Sequence, residues 1–441
     1  MKTPIADFVK NYIANKNVRF HMPGHKGKSI LGCEEFDITE IMGADVLCKA
    51  QGIIGESEEN ATTLFETGHS FYVTQGSTTA ICAMLALVKA SKGKTTILAA
   101  RNVHTAFVNA CALLDIDVDW LMPDDFSSIL ECKITAHTVD EKLKKCLTPT
   151  AVYLTSPDYL GNIQDIHGIS QVCKKYGVPL LVDNAHGAYL KFLDKSRHPI
   201  DLGATMCCDS AHKTLPVLTG GAYLHISKNA PKKYTENARG KIALFSSTSP
   251  SYLILQSLDL CNAYLENGYR TELSECIKHI DAVKEFLTKK GFVLEKNEPL
   301  KITVNARMSG YSGEELAEIL RLDGIEPEFY DKDFLVLMAT PQNSFEDFER
   351  LTNAFSQTEI RPTLKSRTVP SERPITKMTI HDAVFADTET VSVKDAVGRI
   401  CAELTVSCPP AVPIAVSGEE ITESVAALFE YYGTDKIRVV R

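Results

Sequence analysis

The sequence predicts an α/β fold built on a mainly parallel sheet with helices on both faces. Two observations carry this. Between about residues 70 and 230, short β-rich runs alternate with amphipathic stretches long enough for helices. Polar or charged residues follow directly after several of these runs, where ligands bind in open α/β sheets. The expected strands are 97–100, 118–121, 151–155, 179–182 and 222–226, and the helices between them are 78–90, 104–114, 138–147 and 165–176. After about residue 260 the pattern becomes that of a smaller α+β domain. It has a helix at 274–290 followed by the segment 301–305, helices at 313–322 and 345–355, and strands at 325–329 and 334–338. Residues 358–374, rich in Pro, Ser, Thr and basic side chains, read as a linker. The organisation is therefore an N-terminal segment (1–70), a large domain (71–260), the small domain (261–357), the linker and a C-terminal domain (375–441).

Composition narrows the function classes. At 441 residues the chain is too long for one core, and its 44% apolar and 23% charged residues are ordinary for a folded soluble protein. A net charge of -9 without a basic block argues against nucleic acid as the main partner. The longest apolar run, 81–88, is far shorter than the roughly 20 residues that cross a bilayer. The N-terminus has no signal-peptide core. The thirteen cysteines stand singly apart from Cys207-Cys208, with no CxxC repeat. Reduced thiols, a cytoplasmic location and no metal site are the expectation. His21 and His25 are spaced like a helical metal pair, but Pro23-Gly24 between them breaks the helix such a pair needs.

The strongest chemical constellation is Asp209-Ser210-Ala211-His212-Lys213-Thr214. Alone, Lys213 would be a loop lysine. Thirty residues upstream, however, the apolar run Leu180-Leu181-Val182 ends in Asp183-Asn184-Ala185-His186-Gly187. Pyridoxal phosphate needs a lysine amine for its Schiff base and a carboxylate facing the pyridine nitrogen. Asp183 and Lys213 supply both. Gly76-Ser77-Thr78 opens an amphipathic helix, either as an ordinary N-cap or as a cradle for the cofactor phosphate. His104, just after the 97–100 strand, is either a structural histidine or a ring that stacks on the cofactor.

These residues resemble a known family, the bacterial Orn/Lys/Arg decarboxylases with the type I pyridoxal-phosphate fold. Phe20-His21-Met22-Pro23-Gly24-His25-Lys26-Gly27 resembles its H-x-P-G-H-K-x-G entry, and Phe36-Asp37-Ile38-Thr39-Glu40 its F-D-x-T-E segment. Arg101-Asn102-Val103-His104 resembles R-N-x-H, and Thr155 to Gly161 resembles T-S-P-x-Y-x-G. Asp183 to Ala188 and Ser210 to Lys213 resemble the pyridine-nitrogen and Schiff-base motifs. Ser247-Thr248-Ser249-Pro250-Ser251-Tyr252, Gly398-Arg399 and Pro409-Pro410-Ala411-Val412-Pro413 with Gly418-Glu419 complete the match. The resemblance implies a mainly parallel, seven-stranded-type sheet and a homodimer with shared sites. It also implies cofactor contacts from Gly76, Ser77, Thr78, His104, Asp183, His186, Ser210, His212 and Lys213, with Ser247 and Thr248 reaching the neighbour's site. The catalytic set it implies is Lys213, His212, Asp183 and His104. A short form without the N-terminal receiver-like domain of the large inducible members is expected.

The sequence departs from the family at Asn184, often acidic; Gln75, often Asn; and Gly220, often Gln. Cys408, Ala411 and Ser417 replace tyrosine, glycine and proline. The implied reaction is decarboxylation of arginine, lysine or ornithine to the amine, feeding polyamine metabolism. Glu419, and behind it Asp45, are candidates for gripping the cationic side chain, or are simply capping acids. An aminotransferase or lyase would share Asp183 and Lys213, but should also carry an arginine for the substrate carboxylate, and none stands out. A non-catalytic regulator is the other alternative, opposed by the intact Asp183, His212 and Lys213.

Overall fold

The computed structural model describes residues 1–89, 91, 93–123, 128–145, 149–365, 373–404 and 410–441. Positions 90, 146, 147, 366–372, 408 and 409, which the expected helices, linker and C-terminal motif include, lie outside them. Seven strands form one sheet: β1 (His69–Val73), β2 (Thr96–Ala100), β3 (Asp117–Leu121), β4 (Ala151–Thr155), β5 (Leu180–Asp183), β6 (Met206–Asp209) and β7 (Ala222–Ile226). Their order is β1-β7-β6-β5-β4-β2-β3. β2 runs parallel to β3 and β4, and β5 to β6, whereas β7 is antiparallel to both β1 and β6. The mainly parallel α/β expectation holds, and the five expected strands lie where the sequence put them. Two strands escaped. β6 is only Met-Cys-Cys-Asp, without a β-branched residue. The apolar triplet of β1, Phe71-Tyr72-Val73, merges into the turn that follows.

The helices through the sheet region are α1 (Pro4–Ala14), α2 (Ile53–Phe65), α3 (Gly76–Val88), α4 (Thr105–Leu114), α5 (Ala136–Lys145), α6 (Ile166–Tyr176), the single turn α7 (Ala211–Thr214), α8 (Lys232–Ala243), α9 (Tyr252–Glu266) and α10 (Tyr269–Lys290). The chain divides into two compact units, Met1–Lys89 with Cys173–Thr271, and Ala90–Val172 with Glu272–Arg441. In the first, α3 is apolar almost all round and correspondingly buried, packing against β6, β7 and α8. That burial fixes its N-terminus, which carries Gly76, Ser77 and Thr78.

The second unit also contains β8 (Lys301–Asn305), α11 (Gly313–Leu322), β9 (Phe329–Tyr330), β10 (Phe334–Met338), α12 (Phe345–Gln357), α13 (Ile380–Phe385), β11 (Thr388–Ser392), α14 (Glu423–Tyr431) and β12 (Lys436–Val440). The expected strand at 325–329 is corrected to the two residues of β9. Pro327 has no N–H to give a ladder, and pairing with β10 begins only beyond it. β11 pairs with β12 over a core of Val393, Ala396, Cys401, Ile421, Phe429, Ile437 and Val439. Among the described residues, no helix is long and apolar enough to cross a membrane.

Asp259 of α9 ties α1 into the first unit. It is fully buried, and its Oδ2 accepts the Ile5 and Ala6 amides at 2.9 Å each. Oδ1 accepts the Ser57 hydroxyl at 2.5 Å. Burial outweighs these donors and pushes the carboxyl up from 3.8 to about 6. Because the folded value is the higher, the unfolded chain ionises first. Stability should therefore fall as pH rises from about 4 to 6 and level off above, by up to roughly 3 kcal/mol. Asp259→Asn, which keeps an acceptor for α1, should flatten that slope in urea unfolding at pH 4.5 to 7. An unchanged slope would assign it to other groups.

Candidate active site

The strand ends of the first unit bring the predicted residues together. Asp183 closes β5 and is 3% exposed. Its Oδ1 accepts the Ala185 amide at 3.1 Å and the Cys208 thiol at 3.5 Å. Burial, reinforced by Asp183, pushes the Cys208 thiol well above its ordinary value, so it stays a donor. The turn after β5 is tight: a Cβ at Gly187 would fall 2.0 Å from Asn184 Oδ1. His186 lies on this turn, and its Nε2 is 3.0 Å from Lys213 Nζ.

Lys213 and His212 stand on α7, immediately beyond β6. His212 Nδ1 contacts the Gly221 carbonyl at 3.0 Å, and its backbone N–H donates to the same oxygen. A proton on Nδ1 makes that contact a hydrogen bond and leaves Nε2 as the acceptor. Ser210 Oγ donates to Ser77 Oγ at 2.9 Å, joining the lysine turn to the start of α3. The N-cap Gln75 gives α3 no side-chain cap hydrogen bond, and among the first amides of the helix that of Gly76 is already taken by a backbone carbonyl, which leaves the turn of Ser77 and Thr78 to meet an anion. Gly76 has φ +74, and a Cβ there would meet nothing within 4 Å.

Sequence reasoning missed the turn that supports these groups. Gly220 has φ +98, its carbonyl accepts the Gly76 amide at 2.8 Å, and a Cβ on it would press to 2.9 Å from the Thr74 carbonyl. A glutamine could not adopt this position without strain, which accounts for the departure noted there. Gln75 Oε1 accepts the Ser247 amide at 3.0 Å, so the Ser247-Thr248 segment lies beside this chain's own α3 N-terminus.

Sequence reasoning also missed a polar cluster behind β5 and β6. Asp209 Oδ1 accepts from Asn184 Nδ2 at 2.7 Å, and its Oδ2 lies 3.0 Å from His198 Nε2 and 3.3 Å from His225 Nε2. Burial works to raise the Asp209 carboxyl, but the two imidazoles outweigh it and hold it well below the usual carboxylate range. Only the β6–β7 register, Cys207 opposite His225, brings residues so far apart in sequence together.

The remaining candidates have other partners. Asp45 caps α2: its Oδ1 accepts the Val46 and Gln51 amides and its Oδ2 those of Gly52, Ile54 and Gly55, at 2.7 to 3.4 Å. Burial would raise its pKa, but these amides hold it down. In the second unit, His104 caps α4, its Nδ1 accepting the Ala106 amide at 3.0 Å, so its ring proton sits on Nε2. Glu419 is 4% exposed; its Oε2 pairs with Arg101 at 3.1 Å and accepts the Val416 amide at 2.7 Å. Its Oε1 is buried without a hydrogen-bond partner among the described residues. Arg101 also donates to the Pro413 and Ile414 carbonyls and lies over the Trp120 ring.

Pyridoxal phosphate fits the first unit's residues. There is an amine at Lys213, a buried carboxylate at the neighbouring strand end, and an uncapped helix N-terminus with two hydroxyls and open space before Gly76. The family model described as Orn/Lys/Arg decarboxylase, major domain, matches residues 3–309, and that of the C-terminal domain matches 365–435. The uncharacterised Bacillus subtilis protein YaaO is 30% identical over 97% of this chain and 94% of its own. The Bacillus subtilis arginine decarboxylase is 27% identical over 96% and 92%. The Francisella novicida lysine decarboxylase LdcF shares the fold with a TM-score of 0.82 at 18% identity, covering 100% of this chain and 81% of that one.

Proposed function

The chain belongs to the Orn/Lys/Arg decarboxylase family, and from that premise we propose that it releases the α-carboxylate of a basic amino acid, arginine first, as carbon dioxide. The observation that carries the cofactor reading is the convergence of Asp183, Lys213 and the Gly76-Ser77-Thr78 turn in one unit. Arginine leads because four relatives matched over 95–96% of this chain are named arginine decarboxylases, whereas the Escherichia coli constitutive lysine decarboxylase matches 60%.

In this reading Lys213 is the covalent anchor for pyridoxal phosphate. Ser77, Thr78, Ser210, His212 and the first amides of α3 hold its phosphate, and His104 covers a ring face. When bound, the cofactor supplies an electron sink for the pair left behind by the departing carboxylate. Asp183 keeps the ring nitrogen protonated, as an opposite charge within about 4–6 Å does. Lys213 or His212 returns a proton to the α-carbon, a role worth roughly 10²–10⁴-fold. His186, beside Lys213 Nζ, can share that proton. For the substrate's cation, Glu419 is the better candidate, because its Oε1 has no hydrogen-bond partner whereas both Asp45 oxygens take backbone amides. The reading extends to a cytoplasmic homodimer in which Ser247 and Thr248 serve the neighbour's phosphate. Fully active monomers in sedimentation would remove that part.

The test is a panel of arginine, lysine and ornithine with added pyridoxal phosphate, followed by carbon dioxide release and product identity. Arginine should give agmatine with kcat/KM at least ~10-fold above the others. A keto acid product would make the protein a transaminase, and no carbon dioxide from any of the three would overturn the proposal.

A further inference from the structure

The pairing of β5 with β6 ends at Asp183 opposite Cys208, and Asn184 and Asp209 are the next pair along the two strands. Successive side chains of a strand point to opposite faces. Asp183 and Cys208 therefore meet on one face and Asn184 and Asp209 on the other, where both are 0% exposed. Asn184 Nδ2 donates to Asp209 Oδ1 at 2.7 Å, and the Asn184 backbone N–H donates to the Cys208 carbonyl at 3.0 Å. A carboxylate only accepts, so the amide must present its nitrogen to Asp209. Its oxygen faces the turn, because a Cβ at Gly187 would fall 2.0 Å from Asn184 Oδ1. The Gly187 amide closes that turn on the Asn184 carbonyl at 2.8 Å.

Asp209 is in turn fixed from behind. Its Oδ2 lies 3.0 Å from His198 Nε2, on the loop before β6, and 3.3 Å from His225 Nε2, on β7. The groups that the proposed reaction uses stand on either side of the pair. Asp183 precedes Asn184, and Ser210, whose carbonyl accepts the Lys213 amide at 3.0 Å, follows Asp209. His186, two residues beyond Asn184, has its Nε2 3.0 Å from Lys213 Nζ. One buried hydrogen bond thus joins the two turns whose side chains meet at Lys213.

We propose that Asn184 and Asp209 are positioning residues: their hydrogen bond sets the Asp183–Gly187 turn, and with it Asp183 and His186, against Lys213. The inference rests on the reading of Asp183 and Lys213 as partners of the cofactor. A hydrogen bond from an amide to a dry carboxylate is charge-assisted and directional, which suits it to fixing a turn. Charge also decides which residue stands where. An acid at 184 would set a second carboxylate about 2.7 Å from Asp209, and two carboxylates that close cannot both stay ionised. Asp209 is the member with imidazoles beside it, so the acid belongs at 209 and the amide at 184. The departure at 184 is therefore the counterpart of the acid at 209. Neither residue touches the reacting atoms, and both act through the turn they hold.

The test uses the full chain with saturating pyridoxal phosphate and reads kcat, KM, cofactor affinity and the visible circular dichroism of the bound cofactor. Asn184→Ala removes the tether and leaves Asp209 its imidazoles, so the variant should fold. It should lower kcat about three- to tenfold with KM within about twofold, weaken cofactor binding similarly and alter the dichroism. Asn184→Asp, assayed at pH 8, should lose about tenfold or more in kcat. Asn184→Asp/Asp209→Asn should recover most of that loss, because acid and amide have traded places. Losses that multiply in the double variant would overturn the proposal. So would a folded Asn184→Ala chain with wild-type kcat, cofactor affinity and dichroism, even at a lower melting temperature, since the pair would then only hold the sheet. Affinity and dichroism are read without substrate. A wild-type chain that binds the cofactor and releases no carbon dioxide thus overturns the reaction and not this inference, whereas one that binds no cofactor overturns both.

Discussion

Lys213→Ala should lower kcat by on the order of 10³-fold or more, with the protein still folded. The fold should tolerate the change because the Lys213 backbone N–H bond to Ser210, 3.0 Å, does not involve the side chain. α7 is also held by the His212 amide on Gly221. The side chain is only half-buried, so shortening it opens no sealed cavity. What disappears is the amine beside His186, and with it both the covalent anchor and one candidate proton donor. Ser77, Thr78, Ser210 and the α3 N-terminus are untouched, so phosphate-dependent binding of the cofactor should persist in weakened form. Carbon dioxide release and the visible absorbance of covalently held cofactor read the two losses separately. A variant that keeps full turnover would remove Lys213 from the chemistry.

How much of this site the sequence discloses depends on distance along the chain. Asp183 stood out because it ends an apolar run, and strand ends are where an α/β sheet exposes side chains to ligands, whereas Lys213 stood out only by the hydroxyl and imidazole residues around it, the strand before it having escaped. The Gly76 turn was legible for a similar reason, as the start of an unmistakable apolar helix. Gly220 was not. Its positive φ belongs to a turn that no apolar pattern marks, and the Thr74 carbonyl that leaves no room for a Cβ comes from far away in sequence. Asp209 and His225 were invisible together because the β6–β7 register makes them neighbours, and His198 joins them from the loop before β6. Asp45 and Glu419 show a different limit. Both read as acids near family motifs, yet five backbone amides occupy Asp45 and an arginine from the R-N-x-H segment holds one oxygen of Glu419. Whether a carboxylate is spoken for depends on backbone geometry that periodicity does not encode.

Asp183→Asn should reduce kcat by roughly 10²–10³-fold while changing KM little. The sign follows from the hydrogen bonds at this position. Asp183 Oδ1 already accepts from the Ala185 amide and the Cys208 thiol, and an asparagine carbonyl can take the same place. Its Nδ2 would then face the ring nitrogen as a donor. A donor there favours the unprotonated ring, the reverse of what a carboxylate does, so the variant would weaken the charged ring as a sink for the electron pair left behind when carbon dioxide departs. A loss of one to two pKa units on the ring corresponds to about 1.4–2.7 kcal/mol, and poorer transition-state stabilisation adds to it. Substrate binding uses other groups, so the loss should fall on kcat, the pattern of an interaction made mainly in the transition state. Asp183→Glu keeps the charge and should recover part of the rate. If Asp183→Asn held kcat within about twofold of wild type, this carboxylate would not be the partner of the ring nitrogen, and the convergence on which the cofactor reading rests would have to be redrawn around another acid.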